Sequence, residues 1–454
     1  MSSAIERAAG WAAQLTLDGI PAQVRKVARD CFVDTLGVAL AGSSRAVVGK
    51  MRILAEAQYR DGEATILGAK RRMSAPAAAL VNGTAAHALD FDDNCYSGFV
   101  HGSAVIVPAV LAVAEVENVS GAELLTAFVA GCEAEFAAGD ATTAHLYEKG
   151  WWNTGVLGPI GAAIAAARIM KLDSEKTGFA IGLAVAGTGG AKACFGTDGK
   201  PVLCGRTAEQ GITAALLARE GCSGPLNAFE DSRGFAHLFN DDIFLDECFT
   251  DFGGTWRLLK PGVDIKRVPI CLSAHAALDA VMDIMAAQRI AATDVARVVC
   301  DVGPLVTANL VYDHPKTPQQ AQFSLPFAIG CMLVHGDVAL VQLDPAILDN
   351  PALREAMSRV ATVTTALWKQ GSENARRYPE GAHVTVMTRD GRSFEHFNGF
   401  ARGTTARPLT ESEISGKFMD CASGVIGKFE AERMIGQLRV LETLPSVRSL
   451  FGES

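Results

Sequence analysis

The hydrophobic positions in the first 265 residues recur mostly at helical spacing, and patterns typical of strands are nearly absent there. Ser120 is followed three residues later by Glu123, a capping box that predicts a helix start before the apolar run through Ala138. Small residues recur at i, i+3 and i+4 in three further segments, 155–170, 174–187 and 206–220. Such residues let helices approach closely, so the pattern predicts a large, buried helical domain.

The pattern changes near residue 267. After a helical stretch at 273–287, the run VARVVCDV is rich in β-branched residues and ends at Gly303 and Pro304, which predicts a strand. The segment HVTVMTRDGRSFEHF alternates with period two around Asp390 and Gly391, the signal of a β-hairpin. Residues 267–398 are therefore predicted to form a smaller α+β domain between two helical segments, 1–266 and 399–454.

The last part of the chain returns to a helical pattern. Thr410 and Glu413 form a second capping box, and amphipathic runs continue to about Leu441. Periodicity alone does not say whether this tail packs on the first helical segment. The predicted fold class is therefore mostly α, with one smaller α+β region.

Composition narrows the possible partners. The chain is 49% hydrophobic with a net charge of −9, which disfavours non-specific nucleic-acid binding but is compatible with a small anionic ligand. The longest apolar stretch, Gly155 to Ala167, is interrupted by Pro159 and is too short to span a bilayer. The N-terminus lacks the pattern of a secretory signal, and the eleven cysteines form no CxxC pair. We expect a soluble, cytoplasmic protein with mostly buried, reduced thiols.

The densest group of chemically active residues lies in TAAHALDFDDNCYSGFVHGSA. Asp90, Asp92 and Asp93 stand beside Asn94, and His101 follows just before a long apolar segment. Charges packed this closely between apolar helices are costly to bury without partners, so such clusters concentrate at functional sites. The alternative is a solvated acidic helix end. A calcium loop is not expected, because Cys95 occupies the position that such a loop reserves for glycine, and we predict no metal.

Other candidates stand at breaks in the helical pattern. Lys200 precedes Pro201 on a predicted loop that leads into a helix beginning near Arg206. Lys266 lies at the predicted domain junction, where pockets tend to form, and Tyr147 lies in the segment HLYEKGWWNTG. The alternative for each lysine is a solvated surface charge, and for the aromatic residues it is core packing.

Six segments along the chain together resemble those of a known protein family. In order and spacing, HALDFDDN, HGSA, KGWWNTG, GKPVLCGRTAEQG, IKRVPICLSAH and FSLPFAIGCMLVHG resemble the MmgE/PrpD family over essentially the whole chain. Its members include dehydratases, decarboxylases and epimerases of small carboxylic acids. The resemblance implies a large helical domain built from both chain ends, an inserted α+β lid, a homodimer and no cofactor. The family's pocket would correspond here to Asp90, Asn94, His101, Lys200 and Lys266.

Two departures from the family's pattern favour one reaction. Lyase members resemble one another in a histidine where this chain has Trp152, and in a tyrosine where it has Phe327. With two proton-handling groups missing, we expect a cofactor-independent epimerase or racemase of a small dicarboxylate such as iminodisuccinate. The alternative enzyme is a dehydratase or decarboxylase of a tricarboxylate, and the non-enzyme alternative is a binding or structural protein.

Roles follow for the predicted site. Epimerisation needs a base on each face of the carbon, or one mobile base, and nothing leaves the substrate. His101, Lys200 and Tyr147 are the catalytic candidates for this proton exchange. The predicted binding residues are Lys266 and Asn94 for carboxylates, Asp90 to orient His101 or a lysine, and Trp152 to exclude water.

Overall fold

The computed structural model describes residues 2–452 and is 61% helix and 9% strand, so the mostly helical fold class is confirmed. The chain forms two compact units. The second unit comprises Leu89–Phe91 and Lys266–Leu409, and the first comprises the other described residues. The second unit therefore extends past residue 398, where the α+β segment was predicted to end. It also includes Asp90 of the acidic cluster, together with its neighbours Leu89 and Phe91.

The first unit is a bundle of helices. Its first part contains α1 (Ala4–Gln14), α2 (Ala22–Gly42), α3 (Ala46–Gln58), α4 (Ala75–His87), α5 (Gly102–Glu117), α6 (Gly121–Thr142), α7 (His145–Glu148), α8 (Asn153–Ile169), α9 (Ser174–Ala186), α10 (Gly199–Arg219) and α11 (Phe235–Asn240). The capping box of Ser120 and Glu123 begins α6 as predicted.

Glycine lets the central helices of this unit approach closely. A Cβ atom on Gly205 of α10 would lie 2.2 Å from the carbonyl oxygen of Leu80 in α4, and one on Gly131 of α6 would lie 2.6 Å from the carbonyl oxygen of Gly161 in α8. Both distances are far below van der Waals contact, so any larger residue would push the helices apart. The close packing predicted from the small residues is confirmed.

Two features of the first unit differ from the predictions. Helix α10 begins at Gly199 instead of near Arg206, so Lys200 belongs to its first turn and not to a loop. The reason is that Pro201 is tolerated where the first backbone N–H groups of a helix have no intrahelical partner. The structure also contains two short antiparallel pairs, β1 (Asp61–Thr65) with β2 (Arg72–Met73) and β3 (Asn94–Cys95) with β4 (Val263–Asp264).

The second unit contains the α+β elements. Its helices are α12 (His275–Gln288), α13 (Pro304–Asn309), α14 (Pro318–Ala321), α15 (Leu325–His335), α16 (Pro345–Leu348), α17 (Pro351–Ser358) and α18 (Glu373–Arg377), and its strands are β5 (Val295–Val302), β6 (Val360–Val363), β7 (Ala382–Thr388) and β8 (Ser393–Asn398). The sheet order is β6-β5-β7-β8, with only the β5–β6 pair parallel. The predicted strand at VARVVCDV and the hairpin around Gly391 are confirmed.

The tail forms α19 (Glu411–Ile426) and α20 (Lys428–Arg439), and the capping box of Thr410 and Glu413 begins α19 as predicted. Helix α19 packs on α2 within the first unit. A Cβ atom on Gly37 would lie 3.0 Å from the ring of Phe418, and the Lys417 ammonium lies 2.6 Å from the buried carboxylate of Asp34.

No single helix among residues 2–452 has the length and apolar composition needed to cross a membrane, whereas α2 and α3 together, bent by 87°, meet those two criteria. None of the eleven cysteines, all of which lie among the described residues, forms a disulfide, and most are buried, which confirms the expectation of buried thiols.

Candidate active site

Two histidines share one carboxylate in the first unit. His87 is the last residue of α4, and His101 immediately precedes α5. The Nδ1 atom of His87 lies 2.8 and 3.0 Å from the two carboxylate oxygens of Asp92, and the Nδ1 atom of His101 lies 3.2 Å from one of them. The imidazole centroids are 4.7 Å apart. His87 and Asp92 are fully buried, whereas the side chain of His101 is 12% exposed.

The hydrogen bonds of His101 determine its tautomer. Its Nδ1 lies 2.8 Å from the backbone carbonyl oxygen of Asp93, and a carbonyl oxygen only accepts hydrogen bonds. Nδ1 therefore carries the proton, and Nε2 keeps its lone pair when the ring is neutral. The backbone N–H of His101 donates to the hydroxyl of Thr154 in α8, which holds the residue in place. His101 is thus oriented as an acid or base that acts through Nε2.

Burial and neighbouring charges shift the pKa values of His87 and Asp92 in this cluster. Burial lowers the pKa of His87 to about 4, and the charge of Lys200 adds to this effect, so the ring is neutral at physiological pH and donates Nδ1–H to Asp92. Burial by itself would raise the pKa of Asp92. The two imidazoles outweigh burial and hold that pKa well below its usual range. The ionised carboxylate of Asp92 therefore lies between the two rings.

A cation and an indole complete the cluster. The ring of Trp152 packs on His87 with 5.2 Å between centroids, and it is only 1% exposed. The buried ammonium of Lys200 lies 5.6 Å from the Trp152 ring centroid and 5.0 Å from that of Phe195. The structure therefore brings together three predicted site residues, His101, Lys200 and Trp152.

Tyr147 lies in a second group of side chains. Its ring stacks on Phe99 at 4.9 Å, and the ammonium of Lys192 lies 3.3 Å from its ring centroid. Burial lowers the pKa of Lys192, because a half-buried ammonium loses part of its hydration. Lys192 was not among the predicted site residues. Tyr147 is nearly buried, so core packing accounts for part of its role.

Asp90 and Lys266 pair with each other in the second unit. The ammonium of Lys266 donates to the backbone carbonyl of Asp90 at 2.7 Å and lies 3.3 Å from its carboxylate, and Lys266 is only 1% exposed. Asp90 therefore contacts a lysine, whereas Asp92 contacts His101, and the orienting role of Asp90 stays a prediction. Asn94 is half-buried in β3, opposite Asp264.

Sequence reasoning named no role for His87, Asp92 or Glu135. A histidine at the end of an apolar helix, followed closely by an acidic run, was the available signal for the first two. Glu135 of α6 is fully buried and neither carboxylate oxygen has a hydrogen-bond partner. Burial, with a contribution from the charge of Asp93, raises the pKa of Glu135 to about 8. Burial also raises the pKa of Asp93, to about 7.

The comparison with known families covers both parts of the chain. The model of the MmgE/PrpD N-terminal domain matches residues 6–244, and that of the MmgE/PrpD C-terminal domain matches residues 268–443. The chain belongs to the MmgE/PrpD family. The resemblance drawn from the six segments is thereby confirmed at the level of the family.

Curated relatives of this MmgE/PrpD chain span most of its length. It is 26% identical over 464 residues to the cis-aconitate decarboxylase-like protein oryM of Aspergillus oryzae, covering 97% of this chain and 95% of that protein. It is 26% identical to human cis-aconitate decarboxylase, covering 91% and 86%, and 24% identical to the mouse enzyme, covering 98% and 92%. The homodimer and the absence of a cofactor stay predictions.

Proposed function

We propose that this MmgE/PrpD protein is a cofactor-independent lyase that acts on a small tricarboxylate of the cis-aconitate type. The names of its relatives, two cis-aconitate decarboxylases and a cis-aconitate decarboxylase-like protein, support this hypothesis. One observation carries the proposal. His101 is held by Asp92 and the Asp93 carbonyl so that its Nε2 serves as acid or base, and it lies in one buried cluster with Lys200. The lyase thus replaces the epimerase as the leading hypothesis for the function.

The reaction needs one proton delivered to carbon. When a cis-aconitate-like substrate loses CO2, the bond to the departing carboxylate breaks and its electron pair forms a new carbon–carbon double bond. The electron pair of the old double bond then takes a proton at the carbon next to a remaining carboxylate. His101 supplies that proton from Nε2, while its Nδ1 stays bound to the Asp93 carbonyl and beside the carboxylate of Asp92.

Lys200 and Trp152 support the same step in different ways. A buried ammonium attracts a substrate carboxylate and stabilises the negative charge that spreads onto it as the bond breaks. The buried indole presents an apolar surface beside this cation. An apolar surface disfavours the concentrated charge of a carboxylate more than the delocalised charge of the transition state, which favours departure of CO2.

The experiment supplies the purified protein with cis-aconitate in D2O and follows CO2 release together with the proton NMR spectrum. We expect CO2 and a methylene dicarboxylate that carries deuterium next to one carboxylate. His101→Gln keeps a polar side chain of similar length that cannot act as an acid or base, so we expect turnover to fall by about 10²–10⁴-fold. The control is His145→Gln, because His145 pairs with Asp241 at an exposed position and should leave turnover unchanged. Normal turnover by His101→Gln would contradict this role.

The epimerase remains a second candidate because of Trp152. The resemblance places a histidine at this position in lyase members, and the indole cannot transfer the proton that such a histidine could. Epimerisation has no leaving group and requires only that a proton be taken and returned. The same D2O experiment with a chiral iminodicarboxylate decides between the two. Deuterium at the stereocentre, with neither CO2 nor water lost from any tricarboxylate, would refute the lyase and establish the epimerase.

A further inference from the structure

The cluster of His87, Asp92 and His101 also has the composition of a metal site. Each side chain offers one ligand atom, and these atoms all lie within 4.8 Å of one another. Two imidazole nitrogens and one carboxylate oxygen suit Zn²⁺ and similar transition metals, whereas Mg²⁺ and Ca²⁺ prefer oxygen ligands alone. Three protein ligands with a fourth position open are typical of reactive zinc sites.

Two of the three distances among these ligand atoms are close to those of a zinc site, and the third is at most 4.8 Å. Zinc–ligand bonds of about 2.0–2.1 Å at tetrahedral angles place ligand atoms about 3.3 Å apart. In the structure, the Asp92 oxygen lies 2.8 Å from Nδ1 of His87 and 3.2 Å from Nδ1 of His101. An ion bound at these atoms would displace the Nδ1 protons of both rings, and His101 would give up its hydrogen bond to the Asp93 carbonyl. The two contacts with Asp92 would then shift by only a few tenths of an ångström.

We propose that His87, Asp92 and His101 bind one Zn²⁺ ion reversibly and that the bound ion abolishes proton transfer by His101. The inhibition follows because zinc would occupy Nδ1 of His101 and the carboxylate of Asp92, which together orient His101 as an acid or base. The ammonium of Lys200, which lies near the indole packed on His87, opposes a second positive charge and keeps the affinity moderate. Only the inhibition depends on the proposed function, because the metal site itself exists without substrate.

The test begins with protein treated with a chelator and dialysed, to which Zn²⁺ or Co²⁺ is then added. We expect one bound ion per chain by equilibrium dialysis and elemental analysis, and with cobalt the visible absorption of a four-coordinate site with nitrogen ligands. Zinc should suppress turnover in proportion to occupancy, and EDTA should restore it. The metal stoichiometry and the cobalt spectrum need no substrate, so they test the site even if the protein acts on no tricarboxylate.

Two variants locate the ion. His87→Gln should lower the affinity for zinc at least tenfold and remove the cobalt absorption, with a thermal melt to show that the variant is folded. The matched control is His237→Gln, because His237 pairs with Asp242 at 2.9 Å at an exposed position. It should keep both the stoichiometry and the inhibition. Unchanged zinc binding in folded His87→Gln would overturn the site, and full or increased turnover with zinc bound would overturn the inhibition.

Discussion

The buried carboxyl group of Glu135 gives a prediction about stability and pH. Its side chain lies in the core of the helical unit, where a Cβ atom on Gly102 would be 2.9 Å from Oε2, and neither oxygen has a hydrogen-bond partner. Burial raises its pKa from 4.5 to about 8. The folded chain therefore keeps a proton that the unfolded chain has already released, and we expect Glu135→Gln to remove this pH dependence.

The magnitude follows from proton linkage. The stabilising effect of a raised pKa is complete below pH 4.5 and is lost as the pH rises through 8, because the folded chain must then bury a charge. Each pH unit between these values costs about 1.4 kcal/mol, so the free energy of unfolding attributable to Glu135 should fall by about 4 kcal/mol between pH 5 and 8. Glutamine has nearly the same shape and cannot ionise, so the variant should lack this fall.

The measurement is chemical denaturation of both proteins at several pH values from 5 to 8.5. We expect Glu135→Gln to gain about 4 kcal/mol relative to the unmodified chain across this range, whatever their difference at pH 5. The matched control is Glu123→Gln in the same helix, because hydrogen bonding from the Ser120 backbone lowers the pKa of Glu123. Its curve should run parallel to that of the unmodified chain above pH 5. Parallel curves for Glu135→Gln would refute the argument.

Two further predictions concern the cluster itself. Lys200→Ala should lower kcat/KM by about 10²–10³-fold, the usual effect of losing one group that stabilises developing negative charge. Lys200→Arg should keep part of the turnover, because a guanidinium keeps the positive charge. Loss of kcat in Lys200→Arg with KM unchanged would contradict this purely electrostatic role and show that the lysine also gives up a proton. If the protein is an epimerase, Trp152→His should add a trace of lyase activity at the expense of epimerisation. A loss of about 3 kcal/mol in unfolding free energy with an unchanged reaction profile would instead show that Trp152 only packs the core.

Much of the fold was predictable because its signals are local. The capping boxes at Ser120 and Thr410 each involve a side chain and a backbone group three residues apart, so they mark the starts of α6 and α19 in the sequence itself. The alternation around Gly391 predicts its hairpin for the same reason. The start of α10 was missed because the proline at position 201 breaks the pattern without breaking the first turn.

The candidate site was only partly predictable, because its contacts join distant parts of the chain. The sequence by itself determined the family, the acidic cluster, and the candidates His101, Lys200 and Trp152. Only the tertiary structure placed Asp92 between two imidazoles and put Tyr147 with Phe99. Side-chain proximity and burial depend on how whole helices pack, and packing also sets the pKa values on which the chemistry relies. No local sequence pattern encodes side-chain proximity, burial or the resulting pKa values.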